Sequence, residues 1–192
     1  MGKLTEIRWH GRAGQGIVTA SELLAEGALA DDKYFQSFPD YGPERMGAPI
    51  KAYTRIGDEP IDVHYQILSP EIVVVVNPNV LGVVDVTEGL VEDGVIIVNT
   101  SESPETMRER LALKESRVKV FCVDATSIAL DTLKRDIPAT LMIGAIIRAT
   151  NLVDLDNIEH VVREKLGEKL RGEIVEANVQ ALRRAYENVR EG

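Results

Sequence analysis

The sequence predicts an α/β protein, a layered sheet with mainly parallel central strands, an antiparallel hairpin and a helical C-terminal third. Three observations lead there. Short apolar runs rich in β-branched residues, Ile72–Val76, Val95–Val98 and Val118–Val123, suit strands buried on both faces. Segments with helix start signals separate or follow them. The stretch from Pro138 onward reads as helix after helix.

Taken in order, Leu4–Trp9 is a first strand. Ile17, Ala20, Ser21, Leu24, Ala25 and Ala28 recur at helical spacing, so a helix runs from Ile17 to near Ala30. After the Asp31-Asp32-Lys33 turn, Tyr34–Phe38 is a short aromatic strand. Phe38–Pro49 holds three prolines and two glycines and reads as an irregular loop suited to an interface. Ile50–Ile56 alternates, Gly57-Asp58-Glu59-Pro60 turns, and Ile61, Val63 and Tyr65 alternate again, which predicts the antiparallel hairpin. Asn79–Asp93 is a looser connection. Ser103 is placed to cap a helix with Pro104 at its first position, and Asp124 to cap another through Leu133. Pro138–Thr150 is apolar nearly all round and should be buried, ending at Asn151. Gly144 inside it would cost about 1 kcal/mol against Ala unless close packing needs it. Asp156 and Glu159 resemble a capping box ahead of Ile158, Val161, Val162 and Leu166. Gly167–Gly172 is a charged break. Val175, Val179, Leu182, Tyr186 and Val189 form the stripe of a last helix.

Composition narrows the function. The chain has 192 residues, 44% hydrophobic and 28% charged, which fits one domain over 1–192 with its helical part at about 138–192. A net charge of −9 argues against nucleic acid, which needs a basic face. No apolar run approaches the ~20 residues of a membrane span, and Met-Gly-Lys-Leu-Thr-Glu carries no apolar leader, so a cytoplasmic protein is expected. Cys122 is the only cysteine, in an apolar run that suits a buried inert thiol. One thiol holds neither a disulfide nor an iron–sulfur cluster. His10, His64 and His160 lack metal-ligand spacing, so no metal site is expected, and no catalytic triad is visible.

The chemistry concentrates in Trp9-His10-Gly11-Arg12-Ala13-Gly14-Gln15-Gly16, a glycine-rich turn between strand and helix. Its order, G-x-x-G-x-G, is neither the dinucleotide fingerprint nor a P-loop. Glycine permits positive φ and close approach, and helix N–H groups near Gly16 favour an anion. A tight turn in which glycine merely fits is the competing reading. His10, beside a buried strand end, reads as structural, and Trp9 as core or interface. A free-standing nucleotide-dependent oxidoreductase would want an acidic residue ending the second strand, and none is evident there, with Asp40 in the irregular loop.

Arg8–Gly16 together with Phe38-Pro39-Asp40-Tyr41-Gly42-Pro43-Glu44-Arg45-Met46-Gly47-Ala48-Pro49 resembles the gamma subunits of 2-oxoacid:ferredoxin oxidoreductases, those of pyruvate:ferredoxin oxidoreductase most of all. The resemblance continues through Arg55–Ile61, Pro70–Val76, Met142-Ile143-Gly144-Ala145 and the helix with Asn178 and Tyr186. It implies a chain without catalytic residues of its own in a complex with alpha, beta and delta subunits. That complex converts pyruvate and coenzyme A to acetyl-CoA and CO₂ and reduces ferredoxin. Thiamine diphosphate, Mg²⁺, iron–sulfur clusters and coenzyme A would be held by the complex, and no cofactor by this chain alone. The resemblance implies contact of Gly11, Arg12, Gly14, Gln15 and Gly16 with coenzyme A or the active site, Arg12 and Gln15 meeting a phosphate, a pantetheine group or a partner chain. Tyr41, Glu44, Arg45 and Met46 are the expected interface. A purely structural scaffold subunit is the alternative.

Overall fold

The computed structural model describes residues 2–40 and 47–192, and the expected interface residues Tyr41, Glu44, Arg45 and Met46 lie outside the described residues. Seven strands form one mixed sheet in the order β2-β3-β1-β4-β5-β6-β7. They are β1 (Leu4–Arg12), β2 (Tyr34–Asp40), β3 (Pro49–Gly57), β4 (Ile72–Val75), β5 (Val95–Asn99), β6 (Lys119–Val123) and β7 (Arg190–Glu191). The apolar runs do become the parallel centre: β1, β4, β5 and β6 run parallel in succession. β3 pairs antiparallel with both β1 and β2, and β7 antiparallel with β6. The helices are α1 (Ile17–Ala30), α2 (Pro104–Arg110), α3 (Ala125–Leu133), α4 (Ala139–Thr150), α5 (Leu155–Gly167) and α6 (Gly172–Glu187). No helix among the described residues is long and apolar enough to cross a membrane.

Strand alternation splits the core in two. Ile7, Trp9, Val74, Ile97 and Phe121 face a layer made by α1, α3, α4, α5 and α6. Val73, Val75, Ile96, Val98 and Val120 face the other way, onto Val80, Val86 and Met107 of α2. Over β1 and β3 that second face is polar, with Arg8, His10 and Arg55 all buried.

Caps follow the sequence signals in part. Ser103 accepts from the Thr106 amide and Asp124 from that of Ser127. Asn151 ends α4 in the left-handed region at φ 50°. At α5 the expected capping box is replaced: Asp154 caps, accepting from the amides of Asp156 and Asn157. Glu159 is buried instead, with Arg183 Nε donating to it at 2.6 Å.

Three expectations change. Ile61–Tyr65 is not a strand, because both edges of β3 are already taken by β1 and β2. The segment lies as a strap whose carbonyls at Ile61, Val63 and Tyr65 accept from Gln36 and Arg55 side chains. The strand beginning at Tyr34 runs on through Phe38, Pro39 and Asp40, paired with Tyr53, Ala52 and Lys51; as an edge strand it tolerates the proline. β1 likewise runs to Arg12, carrying Gly11 inside the strand opposite Ile50. A Cβ on Gly11 would lie 2.1 Å from Cδ1 of Ile17, so glycine lets the start of α1 close onto the strand end.

Candidate functional site

The chain leaves β1 toward one face, through α1, and leaves β4 toward the other, through Val80 and Val86. Crossovers that part in this way open a crevice at the carboxyl ends of the two strands. The glycine turn and the segment after β4 meet there.

Arg12 is the last residue of β1. Its Nη1 donates to the Gly47 carbonyl at 2.8 Å and its Nη2 to that of Asn79 at 3.3 Å. Its Nε is buried with no partner among the described residues. Gln15 is the keystone of the turn: Oε1 accepts from the Arg12 amide and from Asn77 Nδ2, both at 3.0 Å. Gly14 and Gly16 stand at φ 90° and 78°, a region that only glycine enters at little cost. The space where a Gly14 side chain would sit is open, so conformation and not crowding requires glycine there. Gly16 opens α1 without a side-chain cap, and no acidic residue stands in its first turn. A guanidinium, a carboxamide and an uncapped helix start therefore converge, an arrangement that favours an anionic group.

The neighbouring histidine is buried and neutral in this arrangement. His10 is 1% exposed, and its Nε2 accepts from Arg8 Nε at 3.0 Å, which leaves the ring proton on Nδ1. Burial first, then the charges of Arg8 and Lys51, lower its pKa to about 3. Arg8 in turn donates to the carbonyls of Val86 and Glu88, tying the second-face loop to β1. The unfolded chain binds a proton at His10 near the ordinary value of about 6.5. Between pH 6.5 and 3 the unfolded state thus holds more protons, and the contribution of neutral His10 to stability, full above 6.5, is lost as pH falls through that window. The His10 ring resonances are expected to show no titration between pH 4 and 8 by NMR; a midpoint near 6 would contradict the buried Arg8–His10 pair.

Asn77 and Asn99 were not singled out by sequence reasoning. Asn99, ending β5, donates to the Val76 carbonyl at 2.8 Å and to Thr126 Oγ1, and accepts from the Thr126 amide. It ties the strand ends to the start of α3. The signal was there in each case: an asparagine directly after an apolar β run. Asp40 ends β2 but stands apart from the turn, since β3 lies between, and its carboxylate accepts from Tyr53 and Gln66. It is not positioned as the ribose acid of a dinucleotide site. Cys122 is fully buried, with burial pushing its pKa up to about 11, an inert core thiol. No group of three or more His, Cys, Asp or Glu side chains that could hold a metal occurs among the described residues. The donor set thus fits an anionic ligand and does not fit an iron–sulfur cluster.

Residues 6–188 match the family model of pyruvate ferredoxin/flavodoxin oxidoreductase. Pyruvate synthase subunit PorC of Thermotoga maritima is 47% identical over 188 residues, covering 98% of this chain and 96% of its own. The pyruvate/ketoisovalerate oxidoreductases common subunit gamma of Pyrococcus abyssi is 47% identical over 184 residues, 96% of either chain. The crystal structure of pyruvate oxidoreductase subunit PORC from T. maritima superposes with a TM-score of 0.86 at 45% identity over 99% of both chains. The chain belongs to the pyruvate ferredoxin/flavodoxin oxidoreductase family.

Proposed function

We propose that this chain, acting as one domain over residues 1–192, is the gamma subunit of a multi-subunit pyruvate:ferredoxin oxidoreductase. The observation that carries the reading is the similarity to PorC and common gamma chains over 96–98% of this chain, joined to a turn whose groups suit an anionic ligand. Alpha, beta and delta subunits would hold thiamine diphosphate, Mg²⁺ and the iron–sulfur clusters, with ferredoxin served through the complex. Coenzyme A supplies the thiol that accepts the acetyl group. This chain's part is to orient it: Arg12, Gln15 and the uncapped amides at the start of α1 fit its anionic portion. Gly11 supports them from within β1. Residues Tyr41, Glu44, Arg45 and Met46 are proposed to face a neighbouring subunit. The free-standing nucleotide enzyme is not favoured, given where Asp40 lies.

Anaerobic purification through a tag on this chain, with mass, iron and thiamine analysis, tests the assignment. Partner chains with iron, thiamine and pyruvate-dependent viologen reduction are expected; a lone monomer or homodimer free of both would overturn it. The coenzyme A role has its own test. A charge-assisted hydrogen bond is worth about 1.5–3 kcal/mol. Arg12→Gln in the assembled complex should therefore raise KM for coenzyme A about tenfold or more, leaving KM for pyruvate unchanged. Equal KM for coenzyme A in variant and parent removes Arg12 from that role.

A further inference from the structure

Asn77 stands where β1 and β4 end side by side, and three constraints hold it there. The Val76 amide donates to the His10 carbonyl at 2.8 Å, so the β1–β4 pairing runs on to the residue before Asn77. Pro78 follows, and a residue ahead of proline is driven into the extended region; Asn77 lies at φ −122° and ψ 112°. Its carbonyl then accepts from the Val80 amide at 3.1 Å, closing the 3₁₀ turn Pro78–Val80 over the fully buried Val80 side chain. Gln15 is held less firmly by its own backbone. It sits between two glycines of positive φ, with its amide donating to the Arg12 carbonyl at 3.2 Å.

The hydrogen bonds that join the two side chains have a fixed direction. A backbone N–H only donates. The Asn79 amide donates to Asn77 Oδ1 at 2.9 Å, and the Arg12 amide donates to Gln15 Oε1 at 3.0 Å. Each carboxamide is thereby pinned by its oxygen. The nitrogen of Asn77 is left to face Gln15, and Nδ2 donates to Oε1 at 3.0 Å. Gln15 Oε1 thus accepts twice, while the two N–H groups on Nε2 make no hydrogen bond to the described residues. Donors are what a phosphate oxygen or an amide carbonyl requires. The Asn79 carbonyl, in the same turn, accepts from Arg12 Nη2 at 3.3 Å. One short segment, 77–79, therefore steadies both side chains of the anion-binding pair.

We propose that Asn77 is a positioning residue for coenzyme A: it fixes the Gln15 carboxamide so that its N–H groups are presented as donors to the ligand beside Arg12. The proposal rests on the coenzyme A reading of the turn and is tested in the assembled complex. Asn77→Ser keeps an acceptor for the Asn79 amide, since serine and asparagine cap alike, but is too short to reach Gln15. Loss of a neutral hydrogen bond should raise KM for coenzyme A about three- to tenfold. Values of kcat, KM for pyruvate and Tm should stay parental, the pattern of lost binding. Asn77→Asp keeps the size and the cap but turns a carboxylate oxygen on Gln15 Oε1, so it should raise KM for coenzyme A further. In a Gln15→Leu complex, Asn77→Ser should change nothing more, because a residue that acts through Gln15 is silent once Gln15 is gone. An equal rise in both backgrounds, or a fall in Tm together with a rise in KM for pyruvate, overturns the proposal and makes Asn77 a structural cap alone. Parental KM for coenzyme A in Asn77→Ser beside a raised value in Arg12→Gln also overturns it, and leaves the coenzyme A reading standing. Parental values in both variants overturn both.

Discussion

Replacing Arg55 by alanine is expected to remove about 3–5 kcal/mol of folding stability, the range for breaking a buried ion pair from one side. Arg55 has no exposed surface. Its Nε donates to Glu6 Oε1 at 2.7 Å, Nη2 to the Tyr65 carbonyl at 2.7 Å, and Nη1 to Gln36 Oε1 at 3.3 Å and the Val63 carbonyl at 3.4 Å. The guanidinium also lies over the rings of Phe38 and Tyr65, 5.4 and 5.1 Å from their centroids. One side chain thus joins three strands and fastens the strap 61–65 across the polar face of the sheet. Alanine leaves the Glu6 carboxylate, 17% exposed, without its partner, and strips several acceptors of their donor at once. Lysine keeps the charge but has neither the planar fork nor the stacking surface, so it should rescue only part of the loss. Arg55→Met with Glu6→Gln should lose less than Arg55→Ala alone, since no unpaired charge remains. Urea unfolding measures all three, and hydrogen exchange should show the strap opening first in Arg55→Ala. A loss below about 1 kcal/mol would mean that water replaces the guanidinium without cost, and that the strap is held by something else.

That pin shows why part of the fold was legible in the sequence and part was not. β4, β5 and β6 announce themselves because both their faces are buried, so nearly every residue is apolar. Ile61, Val63 and Tyr65 imitate a strand by alternating, and Ile61 and Val63 are half-buried between exposed Asp62 and His64, but Tyr65 is 63% exposed and the carbonyls are satisfied by the side chains of Gln36 and Arg55 in place of a neighbouring strand. Periodicity reports burial, not the partner that accepts a hydrogen bond. β7 is two residues long and carries no pattern at all. Asp156 and Glu159 had the spacing of a capping box, but Arg183, far along the chain on α6, claims Glu159. The site divides in the same manner. Positive φ at Gly14 and Gly16 was readable because only glycine answers that demand. The Gln15–Asn77 contact was not, because it depends on β1 and β4 becoming neighbours in the sheet; nor was the burial of the Arg8–His10 pair, two same-face residues of β1, because it depends on the Val86–Glu88 segment reaching Arg8.

Gly144→Ala is expected to destabilise the protein by about 2 kcal/mol net, although helix propensity alone would make it stabilising by about 1 kcal/mol. The reason lies across the seam between α4 and α6. A Cβ at position 144 would stand 2.3 Å from the Leu182 carbonyl oxygen and 3.1 Å from the Tyr186 nitrogen. Those atoms belong to the backbone of α6, so no rotamer change relieves the overlap. The helices must separate along a face where Leu141, Ala145, Ala181 and Ala185 are fully buried and Arg148 lies over the Tyr186 ring. Dispersion contacts weaken steeply with such a gap. Gly167 makes the comparison decisive. It also belongs to a helix, the last turn of α5, but a Cβ there meets nothing within 4 Å. Gly167→Ala should therefore raise stability by a few tenths to about 1 kcal/mol, through propensity and a less flexible unfolded chain. The same substitution in two helices is thus expected to act with opposite sign, and a pair of denaturation curves settles it. If both alanines stabilise, α4 and α6 have room to part, and close backbone approach is not what Gly144 provides.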